Sequence, residues 1–229
     1  MVFRKAILII HGFAGGTYDQ EFLANHLELI RNFDVYTFTL AGHDGLFKSN
    51  MTEQDWIKSA EDMMEFLIKN DYKTIYVIGH SMGGVIATRL VTKYKEVKKL
   101  VLIAAAFRYL EFTNDNLDIM KSLKKTPKIA KDYTKDEIIT RLLKMPPNSM
   151  REFANLVKNN EHTLKKVNIP TLIIQGNNDD LVPLETSNII YNEIPSQNKK
   201  ILIYDGVTHD VFRSDKTKEI TEEIIKFLK

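Results

Sequence analysis

Six short runs of consecutive apolar residues, rich in Ile, Val and Tyr, recur along the chain. They are AILII (6–10), VYTFTL (35–40), TIYVIG (74–79), LVLIAA (100–105), TLIIQG (171–176) and KILIYD (200–205). Runs that are continuous rather than alternating belong to strands covered on both faces. Between them the pattern changes to a helical period. Residues 52–69 open with TEQD, a threonine N-cap with an acid three positions on. Trp56, Ala60, Met63 and Leu67 then recur at helical spacing and form a core stripe. Further helices are expected after Ser81, over about 185–193 and over about 215–228. Strand–helix alternation of this kind predicts an α/β fold, a mostly parallel sheet flanked by helices and joined by right-handed crossovers.

One stretch breaks the rhythm. Residues 107–165 carry no strand pattern, only short helical patterns and the breaker MPPN at 145–148. With 229 residues there is room for one domain and a modest insertion. The chain is therefore divided into a core, 1–106 and 166–229, and a small helical lid, 107–165. The lid holds 12 Lys+Arg against 8 Asp+Glu, a surplus that reads as a solvated helical face rather than an anion site.

Net charge is +2, which gives no electrostatic case for nucleic acid as a partner. There is no cysteine, so disulfides, cysteine-based zinc sites and a thiol nucleophile are all excluded. The longest wholly apolar run, LVLIAAAF (100–107), is too short to span a bilayer, so no stable membrane insertion is expected. The basic pair and apolar run near Met1 lack a small-residue cleavage site and read as the first core strand; a cytoplasmic protein is the default expectation. Oligomeric state is not legible.

In an open parallel sheet, ligands gather at the carboxyl ends of the strands. HGFAGG (11–16) follows the first run, AGHDG (41–45) the second and HSMGG (80–84) the third. NNDDLVP (177–183) follows the fifth run and GVTHD (206–210) the last. A serine, an acid and a histidine thus reach one edge of the sheet in that order. Alone, Gly79-His-Ser81-Met-Gly83 is also compatible with an ordinary strand-to-helix turn capped by Ser81. The company it keeps fits nucleophilic catalysis. A serine hydroxyl needs a base to take its proton, and imidazole titrates near neutral pH. A carboxylate fixes the tautomer of that imidazole, and N–H groups at a helix N-terminus can hold an oxyanion.

The five segments together resemble the α/β-hydrolase superfamily, and within it the small bacterial carboxylesterases and monoacylglycerol lipases. HGFAGG is similar to the oxyanion loop, AGHDG to the Gly-His-Gly loop and GHSMGG to the nucleophile elbow. GNNDDLVP is similar to the acid loop and GVTHD to the histidine loop. TSNIIYNEIPS (186–196) resembles the helix after the acid. The resemblance implies Ser81 as nucleophile and His209 as base. It implies Asp179 as the acid, from Gly-x-x-Asp-x-x-x-Pro between Gly176 and Pro183, with Asp180 the adjacent competitor. The backbone N–H groups of Phe13 and Met82 would hold the oxyanion.

The implied activity is hydrolysis of small-molecule carboxylic esters with short-to-medium acyl chains, through an acyl-enzyme and without a cofactor. Monoacylglycerol lipase, thioesterase and carbon–carbon bond hydrolase activities use the same triad, and a non-catalytic ligand-binding protein of this fold is the alternative of a different class. The chain departs from the family in lacking an initial antiparallel hairpin, which predicts a shorter sheet edge.

Other candidates have plainer readings. His11 and His80 are expected to fix backbone turns and His43 to stabilise its own loop; His26 and His162 are expected at the surface or at a boundary. Lid residues such as Leu110, Phe112, Leu117, Met120, Ile129, Leu142, Leu143 and Met145 are expected to pack mostly against one another or the sheet, with a few facing Ser81. Asp44 and Asp205 are expected to bond local backbone beside Gly45 and Gly206. Asp210 is a further acid near the site. Asp179, Asp180 and His209 do not have metal-ligand spacing, and no metal is expected.

Overall fold

The computed structural model describes residues 4–45, 51–108, 112–113, 116–117, 134, 136–137 and 148–229. Six strands form the sheet: β1 (Lys5–Ile10), β2 (Phe33–Thr37), β3 (Ile75–His80), β4 (Val97–Ile103), β7 (Thr171–Gly176) and β8 (Lys199–Tyr204). Their order is β2-β1-β3-β4-β7-β8, and every neighbouring pair is parallel. β2 forms one edge, so no antiparallel hairpin precedes the parallel sheet in the described residues.

Alternate residues of each strand serve opposite layers. Leu8, Ile10, Val77, Leu100, Leu102 and Ile173 face one core. That core is closed by α2 (Glu53–Lys69), α3 (Met82–Lys93), α4 (Ser149–Asn160) and α5 (Leu184–Glu193). Ile7, Ile9, Ile78, Val101, Ile103 and Ile174 face the other, closed by α1 (Glu21–Glu28) and α6 (Thr217–Leu228). Burying both faces is what the continuous apolar runs require.

Several elements differ from the expectations. The second strand begins at Phe33, not Val35, and ends at Thr37. It includes Asp34, whose carboxylate pairs with Arg4 and accepts the Tyr72 hydroxyl at 2.7 Å. Past Thr37 the chain leaves the sheet, and the Leu40 amide donates to His11 Nε2 at 3.0 Å instead of to a strand. On α2 the Thr52–Asp55 capping box forms as expected, but Met64 rather than Met63 is the fully buried methionine. Trp56, Ala60, Met64 and Leu67 make the stripe.

In the 107–165 segment two short strands, β5 (Phe112–Thr113) and β6 (Asn116–Leu117), pair antiparallel where no strand was expected. From residue 148 on, this segment packs with the sheet core. Phe153, Leu156 and Val157 of α4 are buried among residues of α2 and α3. Glu152 Oε2 accepts the Glu53 amide at 3.2 Å, and Asn159 donates to Glu53 Oε1 at 2.6 Å. The side chains of Leu110, Phe112, Leu117, Met120, Ile129, Leu142, Leu143 and Met145 lie outside the described residues.

Candidate active site

The strand order reverses between β1 and β3, because β1 pairs with β2 on one side and with β3 on the other. Loops leaving such a pair at their carboxyl ends diverge and leave a crevice. Ser81 leaves β3 at that point, and the 11–16 loop leaves β1 beside it. Ser81 has φ 53° and ψ −120°, a left-handed conformation that a non-glycine residue adopts only where its surroundings enforce it. Its amide donates to Ile103 O at 2.9 Å, and its carbonyl accepts from Gly84 at 2.9 Å and Ala106 at 3.1 Å. Close packing requires the glycines around it. A Cβ at Gly79 would come closer than 3.0 Å to the Gly83 carbonyl, and one at Gly83 would meet the carbonyls of Ile10 and His11 as closely. The turn feeds directly into α3, whose N-terminus carries partial positive charge.

The β1 loop crosses Ser81 at van der Waals range, since a Cβ on Gly12 would lie 3.0 Å from Ser81 Cβ. His11 holds the start of this loop. Its Nε2 accepts from Leu40, so the proton sits on Nδ1 and is donated to Gly12 O at 2.8 Å. Gly16 donates to Asp19 Oδ2 at 3.1 Å, closing the loop's other end. The Phe13 ring stacks on Phe153 of α4 (centroids 5.2 Å apart, planes at 17°) and meets the edges of Trp56 and His43. Among the described residues, neither the Phe13 nor the Met82 amide is donated to a backbone carbonyl.

The acid and histidine loops are stitched together before either functional side chain is considered. Asn177 and Asn178 donate their amides to Tyr204 O and Val207 O, both at 3.0 Å. The Asn177 side chain donates to Asp205 Oδ1 at 2.7 Å and accepts the Gly206 amide at 2.8 Å. Asp205 thus bonds across to the 177–183 loop, which departs from the expectation of a local backbone role. On this frame His209 Nδ1 donates to Asp179 Oδ2 at 2.9 Å. The Asp179 side chain is 0% exposed and that of His209 13%.

Of the two adjacent aspartates, Asp179 is the one hydrogen-bonded to His209. Its Oδ1 accepts the amides of Leu181 and Val182 at 2.8 and 2.9 Å. Its Oδ2 also accepts from Gln175 Nε2 at 2.8 Å. Burial pushes this carboxyl up, but the charge and hydrogen bond of His209 and the two amides outweigh it and hold it below the usual carboxylate value.

His209 is tied to His80, the residue that immediately precedes Ser81. His80 Nε2 donates to the His209 carbonyl at 3.1 Å, and the two rings lie 5.0 Å apart. His80 Nδ1 accepts from Gln20 Nε2 at 3.4 Å. Burial, and then the neighbouring His209, push His80 down to about 4, so it is neutral at physiological pH. Ser81 and His209 share no hydrogen bond among the described residues; such contacts are often long until substrate arrives. The remaining histidines fall where the sequence put them. His43 bonds Ala41 O at 3.1 Å, His26 stacks on Phe22, and His162 is exposed. Asp44 is exposed at the Gly45 turn and Asp210 is buried after His209.

The sequence reading missed Gln175. A polar residue inside the otherwise apolar run TLIIQG, one position before Gly176, was the available signal. Among the described residues no group of three His, Asp or Glu side chains is placed to hold a metal ion. None of the described helices is long and apolar enough to cross a membrane.

The family model of the serine aminopeptidases, S33, matches residues 3–216. A carboxylesterase of Bacillus subtilis is 26% identical over 231 residues, which cover 98% of this chain and 92% of that protein. A monoacylglycerol lipase of Mycolicibacterium smegmatis is 22% identical, over 98% of this chain and 88% of that protein. Among solved structures, the monoacylglycerol lipase of Paleococcus ferrophilus superposes with a TM-score of 0.74 at 19% identity, covering 99% and 96% of the two chains. That last likeness carries the fold alone. A match running through nearly the whole core, on a parallel sheet with a strained serine turn at its switch point, places this chain in the serine aminopeptidase S33 family of the α/β-hydrolase superfamily.

Proposed function

We propose that this ester hydrolase cleaves small carboxylic esters through an acyl-enzyme formed on Ser81. His209 takes the serine proton during attack and returns it to the leaving alcohol. Asp179 holds the imidazole with its proton on Nδ1, leaving Nε2 free to act as base, and stabilises the imidazolium. The amides of Phe13 and Met82 receive the oxyanion. Water then attacks the acyl-enzyme with His209 again as base, releasing the acid. No step calls for a cofactor. The observation that supports this reading most is the 2.9 Å hydrogen bond from His209 to a buried carboxylate, in a loop fastened beside the strained Ser81 turn.

The substrate is proposed to have a short-to-medium acyl chain. The B. subtilis relative is named a carboxylesterase and the M. smegmatis relative a monoacylglycerol lipase, and the apolar Phe13–Phe153 pair lies at the oxyanion loop. Each methylene buried is worth about 0.8 kcal/mol, roughly fourfold in kcat/KM, until the pocket is full.

The test is a panel of nitrophenyl and monoglyceryl esters of graded chain length, with an acyl thioester and an aminoacyl nitroanilide beside them. The expected result is turnover of the esters, with kcat/KM rising and then falling along the series. Preferential cleavage of the anilide or the thioester, or no turnover of any ester, would overturn the proposal.

A further inference from the structure

Gln175 occupies an interior strand, β7, between β4 and β8, on the same face as the core residue Ile173. It is 1% exposed. An apolar side chain is the default for such a position, since burying an amide costs free energy unless its hydrogen bonds are made. Its Nε2 faces three acceptors: Asp179 Oδ2 at 2.8 Å, Val182 O at 3.3 Å and Gly176 O at 3.4 Å. All three only accept, so the orientation of the amide is settled by its surroundings. The short bond is the one to the carboxylate, and hydrogen bonds to a charged partner are the strong ones.

We infer that Gln175 is a positioning residue for the acid, holding the Asp179 carboxylate so that Oδ2 meets His209. The inference rests on the proposed triad. The two backbone amides of Leu181 and Val182 pin Oδ1 only. A carboxylate held by one oxygen can still swing about that anchor. Gln175 reaches the second oxygen from the sheet side while His209 reaches it from the loop side, which fixes the plane of the group. Oδ2 therefore has two donors, and only one of them can move a proton to the substrate. The Gln175 amide stabilises the carboxylate anion without titrating, so it opposes transfer of the imidazolium proton to Asp179. Among the described residues, the charged or titratable groups shown to interact with this carboxylate are His209, by hydrogen bond, and His80, through its interaction with both.

The experiment measures kcat, KM and the pH profile on a soluble nitrophenyl ester for the wild type, Gln175→Met, Gln175→Glu and Asp179→Asn, with urea unfolding of each. Met matches the length of Gln and removes the donor. The expected result is a fall in kcat of about 10- to 100-fold, with KM within about twofold and the acid limb of the profile displaced upward. Glu keeps the shape. Protonated, it can still donate to Oδ2; ionised, it faces Asp179 as a like charge. Its activity should fall as pH rises across the range where wild-type activity climbs. The pH profiles separate positioning from packing, because a residue that only fills space would not invert the pH dependence. If Gln175→Met keeps kcat and profile, or if both variants lose only stability with unchanged profiles, the inference is wrong. Should Gln175→Met fail to fold, Gln175→Glu decides. If Asp179→Asn itself stays active, the triad reading fails; if it is inactive while Gln175→Met behaves as wild type, only the role of Gln175 fails.

Discussion

His80 holds His209 by its backbone: the Nε2 proton of His80 is donated to the His209 carbonyl at 3.1 Å. His80 is the last residue of β3 and immediately precedes Ser81, so one strand end carries the proposed nucleophile and the anchor of its base. The histidine loop comes from β8 at the opposite edge of the sheet, and it needs such a tie to place an imidazole at a serine three strands away. The acid loop supplies the second tie, through Asn177 and Asn178. The histidine loop is therefore held by contacts other than the imidazole of His209 itself.

His80 should give the protein an acid-sensitive stability with its own pH window. Its pKa is lowered from 6.5 to about 4 in the folded chain. Between those values the unfolded state binds the proton and the folded state does not. The contribution is thus fully present above about 6.5 and is lost as pH falls toward 4. A shift of that size corresponds to a loss of about 3 kcal/mol at most. Asp179 is also lowered, from 3.8, and its contribution is lost at lower pH, below the ordinary carboxylate value. Urea midpoints from pH 8 to pH 4 should fall in the wild type. In His80→Gln, which keeps an N–H to offer His209, the protein should be less stable at pH 8 but should fall less between 6.5 and 4. Parallel curves for the two proteins would contradict this assignment.

The acid itself can be assigned by two neighbouring substitutions. Asp179→Asn should lower kcat by about 10³–10⁴, because the imidazole loses the partner that fixes its tautomer. Asp180→Asn should cost far less, since the hydrogen bond to His209 comes from Asp179. Steady-state kinetics on one soluble ester is sufficient. The reverse ranking would move the acid by one residue.

Two glycines should respond to alanine for different reasons. At Gly83 an added Cβ meets the Ile10 and His11 carbonyls, which belong to the strand and loop beside Ser81 and cannot yield cheaply. Gly83→Ala should cost about 1–3 kcal/mol or more and abolish turnover by displacing the elbow. At Gly206, φ is +72° and nothing lies within 4 Å of an added Cβ, so only the left-handed backbone is penalised. Gly206→Ala should cost roughly 1 kcal/mol. Equal losses in urea unfolding would show that the elbow is not closely packed.

The sequence carried most of the sheet because burial on both faces leaves a continuous apolar run, and the ends of α2 because Thr52 and Asp55 form a local capping box. It placed β2 two residues late. Asp34 looks like loop, yet its charge is met by Arg4 and its other oxygen by Tyr72, contacts between residues far apart in the chain. Likewise Leu40 looks like strand, but β1 ends at Ile10, and a histidine side chain takes the Leu40 amide. Met63 and Met64 are adjacent and equally apolar, so a periodicity of 3.6 could not choose between them. In the site, Ser81, Asp179 and His209 were marked by local motifs. Gln175 was not, because its role arises where a strand and a loop meet. Helix α4 was expected within a lid, since nothing in its own sequence says which surface its apolar face will cover.

On the proposed mechanism, Ser81 is an activated nucleophile. The direct measurement is mass spectrometry of the protein after exposure to a nitrophenyl alkylphosphonate, which transfers its phosphonyl group to an activated serine with loss of nitrophenol and does not turn over. A single adduct mapping to Ser81, absent from Ser81→Ala and formed much more slowly in Asp179→Asn, is the predicted result. An adduct on another residue, or equal labelling of Ser81→Ala, would contradict the mechanism.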